Sequence, residues 1–173
     1  MKTASLIIGL LAVATFLLSY QQKTRKNIIL FNVISRCLYI LQYLLLGAFA
    51  GAVLDVLGAL TSVVAGKKDH PFIKRHLKLA IIILNGCMLA AGLTIAYINK
   101  SWIDLFSLTG VLLHTSAFWM SDEKIIRRVS LVGSPFWFVY NFTSKAYGSA
   151  LGDVLTMCSI IIAMIRYENR LKE

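Results

Sequence analysis

A chain of 173 residues that is 58% hydrophobic and 15% charged, with two prolines and a mean hydropathy of +0.73, has too little polar surface to cover a water-soluble core. The net charge of +10 does not make it a nucleic-acid binder, because the basic residues sit in short segments between long apolar runs instead of forming one groove or helix face. What remains is an integral membrane protein, a single domain over residues 1–173 whose first partner is the lipid bilayer.

Seven apolar runs, at residues 4–20, 28–46, 49–66, 79–98, 103–120, 129–146 and 149–166, predict seven transmembrane helices close to the ~20 residues that cross ~30 Å of hydrocarbon. The first follows Lys2 and contains Ala12-Val13-Ala14, which suggests a signal peptide. Three positive charges behind it (Lys23, Arg25 and Lys26) against one in front favour a retained span with the N-terminus outside. The second run carries Arg36, Tyr39, Gln42 and Tyr43, and the third carries Asp55. An ionisable group at mid-helix costs about 2.5–3.5 kcal/mol on insertion scales, so Arg36 and Asp55, at similar depths on consecutive helices, are read as an ion pair. The fourth run, Leu79–Ile98, has no charge and needs no role beyond crossing back. In the fifth, His114 lies beside Thr115 and Ser116 and reads as a packed, hydrogen-bonded core residue sooner than a proton relay. The sixth brings Trp137, Tyr140 and Asn141, and the seventh Asp153. Tyr20, Tyr97, Trp102, Trp119 and Tyr167 fall at the expected interfaces and read as anchors. Cys37, Cys87 and Cys158 fall in different spans and read as small buried hydrophobes.

Fourteen of the 18 basic residues lie on one side of these spans, in the segments after spans one, three, five and seven. The positive-inside rule therefore puts the N-terminus outside and the C-terminus in the cytoplasm. The same basic face suits anionic lipid head groups.

Sliding the chain by 98 residues lays spans one to three on spans five to seven. Leu10 meets Leu108, Val13 meets Val111, Lys26 meets Lys124 and Ile28 meets Ile126, while Ala52-Val53-Leu54-Asp55-Val56-Leu57 meets Ala150-Leu151-Gly152-Asp153-Val154-Leu155. Tyr39 meets Trp137, and Gln42-Tyr43 meets Tyr140-Asn141. The reading is an all-α polytopic membrane protein in which two parallel three-helix repeats (about 4–66 and 103–166) are joined by a linker helix (79–98), a 3+1+3 layout. Gly47-xxx-Gly51, Ala48-xxx-Ala52 and Gly148-xxx-Gly152 are small-residue seams for close helix packing, and such a seam also offers a homodimer face.

Ser19-Tyr20-Gln21-Gln22-Lys23-Thr24-Arg25-Lys26, the stretch Gln42 to Ala52, Ser134-Pro135-Phe136-Trp137 through Tyr140-Asn141 to Tyr147-Gly148, Asp153, and Arg166-Tyr167 together resemble the bacterial inner-membrane YgjV family. That likeness implies a multi-pass protein of the inner membrane. More distantly the chain resembles the PQ-loop and SWEET transporter group, in which a Pro-Gln step ends the first helix of each triplet. Here Tyr20-Gln21 and Trp119-Met120 stand in those places, so the prolines that help those helices bend are missing.

A metalloprotease HExxH, a glycine-rich phosphate loop and a nucleophile elbow are all missing from the sequence. The chain is therefore read as a non-enzyme without cofactor or metal, an intramembrane acid site built from Asp55, Asp153 and His114 being the weaker chemical reading. The polar residues point to a permease for a small polar solute or proton. Asp55, Asp153, Gln42, Tyr43, Tyr140, Asn141, Tyr39 and Trp137 are its candidate path residues, with Arg36 as the ion-pair candidate. Asp153 has no arginine at the place matching Arg36, where Ser134 stands, and is the better placed of the two acids to carry a proton. The alternative is a non-transporting membrane scaffold or interaction protein, with both acids closed in salt bridges.

Overall fold

The computed structural model describes residues 2–46, 49–143 and 147–168. These form eight α-helices and no strand: α1 Lys2–Tyr20, α2 Arg25–Leu46, α3 Phe49–Gly66, α4 Pro71–Arg75, α5 Leu77–Asn99, α6 Asp104–Ala117, α7 Glu123–Thr143 and α8 Tyr147–Glu168. Three helices are long and apolar enough to cross a membrane on length and hydropathy alone, at Arg25–Leu45, Leu77–Asn99 and Ala150–Tyr167, with shorter apolar stretches at Ile7–Tyr20 and Ala52–Gly66. α6, at 14 residues, is shorter than the run 103–120 from which it was expected. Phe118, Trp119 and Met120 continue the apolar run but leave the helix through tight turns onto the carbonyls of Thr115, Ser116 and Ala117. α7 is long, but Glu123, Lys124, Arg127 and Arg128 in its first two turns lower its hydropathy.

Local signals set the helix ends. The Thr24 hydroxyl accepts the Asn27 N–H at 3.4 Å before α2, and the Asp122 carboxylate accepts the Lys124 N–H at 2.8 Å before α7. These are side-chain caps on otherwise unpaired first-turn donors, and the two cap residues are 98 positions apart. α2 and α7 begin with the same offset, as do α3 and α8. α5 closes on Lys100 in the left-handed conformation, φ 49°, and the Ser101 N–H returns to the Ala96 carbonyl.

Contacts run around the bundle as a circuit: α1 on α2, α2 on α3, α3 on α5, α5 on α6, α6 on α7, α7 on α8, and α8 back on α1. At the end where α1, α3 and α6 finish, Ile28, Ile29, Ala65, Ala117, Phe118, Trp119 and Ile126 form a packed apolar plug. A second cluster, Met88, Leu108 and Val111, joins α5 to α6 and touches Leu57 and Trp137. The outside of the bundle is lined with exposed large hydrophobics, among them Leu10, Ile82, Leu93, Leu151 and Ile165, the surface a bilayer solvates and water does not.

Several expectations are corrected. Cys37, Cys87 and Cys158 are exposed. They face outward, where an apolar thiol meets lipid at little cost. Tyr20 and Trp119 are interior residues, not interface anchors, because the turn after each of their helices tucks under the neighbouring triplet: Tyr20 is 0% and Trp119 9% exposed. Tyr97 and Trp102 are exposed as expected of anchors. Gly47, Ala48 and Lys145 lie outside the described residues, as do the side-chain surroundings of Gly51 and Gly148.

Candidate functional site

α1, α2 and α3 on one side and α6, α7 and α8 on the other enclose a cavity of about 380 Å³. From α2 it takes Arg36, Tyr39, Gln42 and Tyr43, from α3 Asp55, from α7 Trp137, Tyr140 and Asn141, and from α8 Asp153. All nine side chains read from the sequence as path or ion-pair residues therefore border one space. The lining also includes residues with no mark in the sequence pattern, notably Phe16, Ser35 and Thr156, together with Ser134, noted only as the counterpart of Arg36 and in the family resemblance, and His114, which was read as core.

Glycines on neighbouring helices seat these side chains. A Cβ on Gly58 of α3 would fall 2.7 Å from the Arg36 Cζ, one on Gly9 of α1 2.7 Å from the Gln42 Cδ, and one on Gly110 of α6 2.7 Å from the Trp137 Cδ1. Real Cβ atoms essentially never show such contacts, so a side chain at any of these glycines would make Arg36, Gln42 or Trp137 shift from the place it takes against the next helix.

The electrostatics differ on the two sides. The Arg36 Nη1 donates to the Asp55 Oδ1 at 2.8 Å, and the Arg36 Nε donates to the Asn32 Oδ1 at 3.0 Å. Arg36 is 6% exposed, so its charge is matched in a low-dielectric setting where a lone guanidinium would be costly. The Asp153 Oδ2 accepts from the Asn141 Nδ2 at 2.7 Å, a neutral partner. Tyr39 stacks on Tyr43 with ring centres 6.3 Å apart, and Trp137 meets Tyr140 edge to face at 6.0 Å, so each triplet presents an aromatic pair to the cavity.

His114 forms part of the cavity floor. The Tyr20 hydroxyl lies 2.9 Å from its Nδ1, and the Ser134 hydroxyl 3.5 Å from its Nε2. Ser134 gives its one proton to the Ser130 carbonyl, so Nε2–H is the donor to Ser134, and a neutral ring then has Nδ1 accepting from Tyr20. This network was legible only in part: the histidine is visible in the sequence, but its tyrosine partner is 94 positions away.

Beneath the floor, the two triplets are strapped together by basic side chains on carbonyls. The Arg25 Nη2 donates to the carbonyls of Ala65 and Phe118 at 2.6 and 2.7 Å, and its Nε to that of Met120 at 2.7 Å. From the other triplet, the Arg127 Nη2 donates to the Gln22 carbonyl at 2.7 Å while its guanidinium lies over the Tyr167 ring, 5.0 Å from the centre. The Lys68 ammonium donates to the Trp119 carbonyl and the Ser121 hydroxyl; burial, then the nearby Arg25 charge, pushes its pKa down from the ordinary lysine range. Gln21 completes the strap by donating to the Ser159 carbonyl and hydroxyl at 2.6 and 3.0 Å.

Residues 3–170 match the family Imp-YgjV, described as bacterial inner membrane protein. The chain belongs to the YgjV family. No curated protein and no solved structure matches it. Family membership therefore places the protein in a bacterial inner membrane, and the chemistry has to be argued from the cavity itself.

Proposed function

We propose that this YgjV-family protein is a permease for a small polar solute or ion, with its site in the cavity between the two helix triplets. In this reading α1, α2, α3, α5, α6, α7 and α8 each cross the inner membrane, as two parallel three-helix repeats joined by α5, with the N-terminus outside and the C-terminus in the cytoplasm. It is a 3+1+3 layout like that of the SWEET group, and it involves no covalent chemistry and no cofactor. The 98-residue offset shared by helix starts and caps supports the duplication. The carrying observation is the cavity: a bundle that had only to pack would fill its centre with apolar side chains, whereas this centre holds an ion pair, a carboxylate, two amides and four polar-edged aromatic rings from both triplets.

A second reading, a non-transporting scaffold, is favoured by one observation, the closure of Asp55 on Arg36 at 2.8 Å. The two readings part in reconstituted liposomes, where uptake of labelled small polar solutes is followed with and without a pH gradient. The expected outcome is uptake by the wild type and at least about ten-fold slower uptake by Asp153→Asn, which keeps size and hydrogen bonding but removes the charge. A wild type that moves nothing, or a variant that matches it, leaves the scaffold reading standing.

A further inference from the structure

Among the described residues that line the cavity, three side chains carry formal charge: Arg36, Asp55 and Asp153. Arg36 and Asp55 cancel each other at 2.8 Å, and the contacts of buried His114 with Tyr20 and Ser134 fit a neutral ring. Asp153 is left, bonded to an amide that supplies a hydrogen bond but no countercharge. With Asp153 ionised, the cavity has a net charge of one negative unit inside a low-dielectric bundle. A neutral solute would leave that charge unbalanced and an anion would double it, whereas a monocation removes it.

The walls select the kind of cation. Asn141 gives one of its two N–H groups to Asp153 and keeps its amide oxygen as an acceptor, the polarity that receives an ammonium N–H or the polarised C–H of a quaternary centre. The stacked pair Tyr39–Tyr43 and the edge-to-face pair Trp137–Tyr140 supply electron-rich faces that attract a weakly hydrated organic cation. Small inorganic cations instead require a cage of oxygen ligands. A volume of about 380 Å³ lies in the range of pockets that hold small organic molecules.

We propose that the cavity binds a small organic monocation, an alkylammonium or quaternary ammonium compound, with Asp153 as its counter-ion and the aromatic pairs of α2 and α7 as its walls. The inference deepens the permease reading and rests on the same cavity being the site. Binding and movement are measured separately, so that either idea can fail alone.

Purified full-length protein in nanodiscs is titrated by calorimetry with methylammonium, tetramethylammonium and choline, and with 3,3-dimethylbutan-1-ol, which has the shape of choline with carbon in place of nitrogen. At least one of the cations is expected to bind, and choline to bind about ten-fold or more tightly than its neutral isostere. Asp153→Asn should lose about ten-fold or more of the cation affinity while eluting as the wild type does on size exclusion, and Asp153→Glu should recover part of it. Equal affinity for choline and the isostere, no binding by any of the three cations, or an unchanged Asp153→Asn overturns the proposal, and the isostere comparison needs no variant to fold. Flux in liposomes separates the two ideas. Cations bound but not moved would retire the permease and keep the cation site; neutral or anionic solutes moved without cation binding would do the reverse.

Discussion

Arg36 shows how a charge is kept inside a bilayer protein. Its guanidinium lies over Gly58, donates to Asp55 on the next helix, and is braced by the Asn32 side chain one turn earlier on its own helix. Removing one partner leaves the other charged and buried, which costs about 3–5 kcal/mol, whereas replacing both with apolar groups costs little or nothing. Arg36→Leu and Asp55→Leu should each lower the thermal midpoint in detergent strongly, and the double variant should regain most of the loss; losses that add would mean that the bridge contributes no coupling energy. The pairing was legible because depth along a helix follows from residue counting at about 1.5 Å per residue. Its supports were not. Whether Gly58 or another residue faces Arg36 depends on how α3 is rotated about its axis, and so apolar a run carries only a modest amphipathic signal to set that rotation. Asp153 is the complementary case: the absence of a matching arginine is visible in the sequence, while its neutral partner Asn141, 12 residues earlier, was read only as a separate path residue.

Helix ends, as well as helix faces, hold the triplets together. The last carbonyls of a helix have no partner of their own and carry the negative end of its dipole, and here the ends of α1, α3 and α6 meet arginines that start α2 and α7. Arg25 of the first triplet bonds the carbonyls that follow α6, and Arg127 of the second bonds those that follow α1, so each triplet caps the other. In sequence these residues belong to the basic segments whose evident task is orientation, and charge counting cannot tell a head-group contact from a buried cap. Arg127, at 2% exposure, was therefore missed as a structural residue, just as Tyr20 and Trp119 were misplaced: all three look interfacial by position and are buried by the turns around them. Arg127→Leu should lower the thermal midpoint by several degrees, since charge-assisted hydrogen bonds contribute about 1.5–3 kcal/mol each when buried. Lys23→Leu, which removes an exposed charge from the same basic end, should leave the midpoint nearly unchanged. Equal effects, read by fluorescence-detected size exclusion after heating, would show that net charge matters there and the cap does not.

At the scale of the whole molecule, direction in the membrane follows from which end of the bundle holds the basic straps. The segments 21–24, 67–76 and 118–122 cluster at the end sealed by the apolar plug, and with the first two turns of α2, α5 and α7 that follow them they carry 11 of the described basic residues. If that end faces the cytoplasm, as the positive-inside rule requires, the cavity lies on the outer side of a cytoplasmic seal, and the bundle is held in an arrangement closed toward the cell interior. The seven crossings proposed above would also fix a parity: the chain would start and finish on opposite sides. A cytoplasm-dependent fluorescent reporter fused after Lys68 or Glu173 should therefore fluoresce, and one after Lys100 should stay dark, with an export-dependent phosphatase giving the reverse pattern at the same three points. The Lys68 and Lys100 fusions test whether α5 crosses the membrane, and the Glu173 fusion tests whether α6, α7 and α8 add three crossings although α6 is only 14 residues long. A phosphatase-active Glu173 fusion would leave an even number of crossings. With the Lys100 fusion still outside, it would mean that one of α6, α7 and α8 does not cross; with the Lys100 fusion in the cytoplasm, it would set the second triplet upside down relative to the first, and in either case Asp55 and Asp153 could no longer be related by an axis normal to the membrane.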